Sequence, residues 1–137
     1  MTSRYSSSPF AQFARISGKF NTLVPFLFLN GMQESLTGND ENISIDCFNS
    51  KLYTTDSSIM LHLANGKQDG QLKKLTFSFQ GVEDTQIRVL CPALIGSFTE
   101  ITFTNVGDQC FLIWSGQWIV LETINILNPG LNTPVVS

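Results

Sequence analysis

Residues 72–79 read LKKLTFSF, and from Lys74 onward they alternate. Leu75, Phe77 and Phe79 fall on one parity, Lys74, Thr76 and Ser78 on the other. An extended chain puts successive side chains on opposite faces and so separates these two sets, whereas a helix would mix them. TEITFT repeats the pattern, with Ile101 and Phe103 against Thr102 and Thr104, and QIRVL sets Ile87 and Val89 against Arg88. Each segment predicts a half-buried strand. ISIDCF at 43–48 and SIMLHL at 58–63 are further predicted strands. QCFLIW and QWIVLETI are apolar at both parities, which predicts strands covered on both faces.

Turn residues punctuate these runs. ANG at 64–66, DG at 69–70, VGD at 106–108 and SG at 115–116 stand between strands. Short strands with turns every 8–12 residues or so predict an all-β fold, a single antiparallel sandwich or barrel of jelly-roll type. The Ser-Gly pair predicts a tight hairpin with Gly116 at positive φ and Trp114 and Trp118 on its flanks. Two such rings, each burying on the order of 200 Å², pin the last hairpin and close one end of the core. The competing reading of the same pair is an exposed platform for a sugar.

Residues 1–42 differ from the rest. Arg4, Arg15 and Lys19 are the only charges among the first 30 residues, and Phe10, Phe13, Phe20, Phe26 and Phe28 are scattered among Ser-rich and apolar stretches. We read 1–42 as an extended arm ordered by its partners, with a short helix near 10–17 and a strand near 26–29. Residues 43–126 are then the β-domain and 127–137 an extended tail, kept open by Pro129 and Pro134. The basic, acid-free start also has the composition of a mitochondrial transit peptide, a competing reading.

Charge and chemistry narrow the function classes. Charged residues make up 14% of the chain against ~25% usually, with a net charge of −3, which argues against a nucleic-acid binder. The longest apolar run, LVPFLFL, is too short to span a bilayer, which needs about 20 residues. Cys47, Cys91 and Cys110 lack metal-site spacing, and Cys47 and Cys110 read as small buried residues. The one histidine, His62, has no triad pattern around it, and Glu83–Asp84 and Asp40–Glu41 read as solvated loops. The expectation is a non-enzymatic protein with no cofactor and no metal.

Three motifs in order carry a resemblance. Asn65, Gly66, Asp69, Gly70 and Gln71 lead into one strand; Pro92, Ala93, Gly96, Ile101, Thr102 and Phe103 into another; Val106, Gly107, Asp108, Trp114, Gly116 and Trp118 close the series. Over residues 43–123 the chain resembles a small β-domain of viral structural proteins, found in capsid-associated, tail and fibre proteins of tailed phages and in proteins of large DNA viruses. The glycines also have a local reading as turn formers, and Asp69 and Asp108 as turn caps. The resemblance implies a virion structural protein: a minor capsid, cement or decoration protein held by major capsid protein or other virion proteins, and itself a homo-oligomer, with a trimer expected. The arm phenylalanines and Arg4, Arg15 and Lys19 would be its anchors. A tail or fibre module binding a host-surface glycan is the alternative.

Overall fold

The computed structural model describes residues 33–137, and the fold is all-β, with two five-stranded sheets packed face to face. Ten strands run in chain order: β1 (Gln33–Leu36), β2 (Glu41–Ile43), β3 (Asn49–Thr54), β4 (Ile59–Leu63), β5 (Leu72–Gln80), β6 (Ile87–Leu90), β7 (Glu100–Phe103), β8 (Asp108–Trp114), β9 (Trp118–Asn125) and β10 (Val135–Val136). The first sheet has the order β1-β3-β5-β8-β9 and the second β10-β7-β6-β4-β2. Of the sandwich and the barrel that the alternation left open, this is the sandwich.

The pairing within it is mixed, not wholly antiparallel. From β1 to β6 the chain changes sheet at every strand, so sheet neighbours are two strands apart in sequence and run parallel. A parallel pair needs a crossover, and here the strand in the opposite sheet provides it. Residues 33–90 thus form three turns of a flattened coil. The return from β7 to β10 is antiparallel and joins both sheets. Alternation reports which face a residue takes, not which way its neighbour runs, so the parallel half was not legible from it.

Three boundaries move. Residues 33–42, assigned to the arm, supply β1 and most of β2, and of the expected strand over 43–48 only Ile43 is in a strand, 44–48 being a loop. The 127–137 tail is not free: β10 pairs with β7, placing Val135 opposite Thr102 and Val136 opposite Ile101. Arg4, Phe10, Phe13, Arg15, Lys19, Phe20, Phe26 and Phe28 lie outside the described residues.

The core lies between the sheets. Leu52, Leu61, Leu75, Phe77, Ile87, Val89, Ile101, Phe103, Cys110, Leu112 and Trp118 have no solvent exposure. Ile87, Val89, Ile101 and Phe103 point inward as their parity predicts, and Arg88 outward. Phe79 does not follow. The β3–β5 register slips between Leu52 and Tyr53, which brings Phe79 opposite Tyr53 and leaves it half exposed, 6.4 Å from that ring. An extra residue in one strand reverses the face of everything after it.

Candidate interaction surface

The motif residues build the two ends of the sandwich. Trp114 and Trp118 pair across the last hairpin, edge to face, with centroids 5.3 Å apart. The loop holds three residues, Ser115 to Gln117, one more than the expected pair, and Gly116 takes φ +75°. Trp118 is fully buried and donates its indole N–H to the Ala64 carbonyl at 2.8 Å; Trp114 is 8% exposed. These rings are core, so neither offers a flat face to a sugar. Pro92 opens a turn in which Leu94 N–H reaches the Cys91 carbonyl, the position where its fixed φ is favoured. Gly70 and Gly107 have positive φ, as turn glycines should. Gly66 does not: it is glycine because the Trp114 ring lies against it. Asp69 stays exposed in its turn and makes no side-chain hydrogen bond among the described residues.

Asp108 caps backwards and does more than cap. Its Oδ2 accepts the backbone N–H groups of Thr104 and Asn105 at 2.9 and 3.0 Å. Its Oδ1 accepts the Asn125 amide at 2.8 Å and the Thr133 hydroxyl at 2.5 Å. One buried carboxylate therefore ties the β7–β8 turn, the end of β9 and the tail together.

At the opposite end, Lys73 is fully buried on the inward parity of Leu75 and Phe77. Its ammonium donates to the Ser44 and Cys47 carbonyls at 2.5 and 2.7 Å and stands 3.8 Å from Glu34. Gln71 takes the Ile45 carbonyl between them. Glu34 in turn accepts from Ser44 N–H and the Ser50 hydroxyl. Burial holds the Lys73 pKa below its ordinary value, against the opposing pull of Cys47 and Glu34. This clamp replaces a strand ladder over residues 44–48. Inward parity at Lys73 was the signal that sequence reasoning left unused.

Burial raises the thiol pKa of Cys91 to about 11 and that of Cys110 to about 12. His62 faces outward and pairs with Asp40 at 3.2 Å. Among the described residues no cluster of three or more His, Cys, Asp or Glu side chains forms that could hold a metal ion, and no helix is long and apolar enough to cross a membrane.

The outward face of the first sheet is where the chemistry is unfinished. Cross-strand register places Leu72, Ile113 and Ile119 in one row, Lys74, Phe111 and Glu122 in the next, and Thr76, Gln109 and Ile124 in a third. Leu72, Phe111, Ile113, Ile119 and Ile124 remain partly exposed there, and Leu121 beside them is exposed. Phe48 packs on Phe111 with centroids 6.1 Å apart, and Lys74 lies 5.9 Å from both rings. Asn49, opposite Lys74, has a buried side-chain oxygen without a hydrogen-bond partner among the described residues. The expectation that β8 and β9 are covered on both faces is met on the inner side only. No family model matches the sequence. No curated protein matches it significantly either, so the functional reading rests on this surface and on the motifs.

Proposed function

We propose that the protein is a structural subunit of a virus particle, a minor capsid, cement or decoration protein that acts through protein–protein contact with major capsid protein or other virion proteins. The observation that carries this reading is the apolar outward face of the first sheet, from Leu72 and Phe48 through Phe111 and Ile113 to Ile119. These side chains are partly exposed and contiguous, and a contiguous apolar surface open to solvent marks an interaction site. An aromatic-centred sheet face suits another protein surface better than a small molecule, which needs a concave pocket. The unpartnered Asn49 oxygen adds an acceptor for an incoming donor. The order of the three motifs supports the viral setting by resemblance, and Phe10, Phe13, Phe20, Phe26 and Phe28 in the leading sequence would add apolar anchors to the same assembly role. The buried tryptophans take away the platform on which the glycan-binding alternative depended.

The test is incorporation. Purified particles should contain the chain at a copy number set by the shell's symmetry. Phe111→Asp should fold normally by circular dichroism and be lost from particles. Full incorporation of that variant, or a chain present at only a few copies per particle, overturns the reading.

A further inference from the structure

The rows on the outward sheet face have a charge pattern that selects an occupant. Phe111 is central, Lys74 is its neighbour on β5 and Glu122 its neighbour on β9. Lys74 and Glu122 are two strands apart, roughly 10 Å. Neither takes part in an ion pair among the described residues.

We propose that this face binds a second copy of the chain, sheet to sheet, about a two-fold axis running along β8 through Phe111. Rotation about that axis exchanges left and right within each row. Lys74 then lies over Glu122 of the other copy, and Glu122 over Lys74, giving two ion pairs from one operation. Phe111 meets Phe111, Ile113 meets Ile113, and Leu72 meets Ile119, so the apolar row lands on itself. Strand directions are preserved, which is the aligned packing that sheets adopt. The other in-plane axis, across the strands, would set Lys74 on Lys74 and Leu72 on Thr76. The pattern is self-complementary in one orientation alone, the hallmark of an isologous contact.

The chain's own leading residues suit the face less well, because the only charges among the first 30 residues are Arg4, Arg15 and Lys19, all of the sign of Lys74. The sheet offers a footprint on the order of 500 Å² per copy, below the ~800 Å² of tight complexes, so the expected affinity is micromolar. The two-fold contact stands in place of the three-fold one that the resemblance implied. It rests on the reading of this face as a docking surface and names what docks.

Sedimentation of the full chain from micromolar to near-millimolar concentration should show a species of twice the 15.2 kDa chain mass. Lys74→Glu and Glu122→Lys should each weaken self-association on the order of tenfold or more, since each sets like charges together twice. Mixing the two variants should restore association, because the mixed pair regains both unlike contacts. The double variant K74E/E122K should also associate as the wild type does. A wild-type monomer, a wild-type trimer, or a mixture no tighter than its components overturns the proposal. A wild type that stays monomeric yet enters particles sinks the two-fold contact and leaves the structural role standing; a wild-type dimer absent from particles does the reverse.

Discussion

Gly66 lies against the indole of Trp114 so closely that a Cβ on Gly66 would sit 2.6 Å from ring atom Cδ2. Gly66 needs no special φ; it needs to be small. Four residues beyond Trp114, the fully buried Trp118 ring donates to Ala64, so the segment Ala64–Gly66 is held from both tryptophans of one hairpin. Three consequences concern this end of the molecule and one the other.

Gly66→Ala should destabilise the fold by ~1–3 kcal/mol, the usual cost of overpacking. Trp118→Ala should cost ~3–5 kcal/mol. Trp118→Phe keeps the apolar bulk and loses the donor, leaving the Ala64 carbonyl unpaired for ~1–3 kcal/mol. Chemical denaturation of each variant checks the order. A Trp118→Ala variant as stable as the wild type would remove this ring from the core.

Lys73→Met should also be destabilising, by ~1–3 kcal/mol, although it places an apolar side chain in an apolar layer. The Ser44 and Cys47 carbonyls would lose their donor, and the 44–48 loop has no ladder to replace it. Amide exchange over 44–48 should rise more than exchange elsewhere, which separates loss of the clamp from general loosening.

The buried thiols set an alkaline limit. Cys91 and Cys110 keep their protons in the folded protein to about 11 and about 12, while an unfolded cysteine ionises near pH ~8.5. Between those values the folded chain binds more protons, so stability falls as pH rises. The contribution is complete below the unfolded value and is lost as pH climbs through the folded ones. Lys73 acts with the opposite sign: its pKa is lowered, so over the range from that lowered value up to ~10.4 the unfolded chain binds more protons and stability gains with pH. Denaturation midpoints from pH 8 to 11 should therefore fall less steeply in Cys91→Ala/Cys110→Ala than in the wild type. Both thiols should resist disulfide reagents at pH 8 until the protein unfolds.

Asp108→Asn should free the tail. The amide nitrogen would face donors where the carboxylate accepted four hydrogen bonds, at a cost of ~2–4 kcal/mol. Limited proteolysis should then cut within 127–133 under conditions that leave the wild type whole. Unchanged cleavage would mean that β10 alone holds the tail.

Particular elements separate what the chain announces from what it conceals. Strands β4 to β9, the inward sets at Ile87, Val89, Ile101 and Phe103, the turn glycines 70, 107 and 116 and the buried tryptophans follow from side-chain period and turn chemistry, which are local. The reason for glycine at 66 was not local, since it lies in a ring 48 residues away. Phe79 was misplaced because a register slip between two strands is invisible within either one. Lys73 carried its signal in plain parity, yet burying an ammonium makes sense only once the Ser44 and Cys47 carbonyls converge on it.

Alternation by itself determined that this protein is an all-β fold, sandwich or barrel, and which residues of β6 and β7 face its interior. The tertiary structure alone decided that its first half winds in parallel and that Lys74, Phe111 and Glu122 share one row. The physical reason is that period two assigns each side chain a face, while strand direction and lateral neighbours depend on loops and registers that join distant segments.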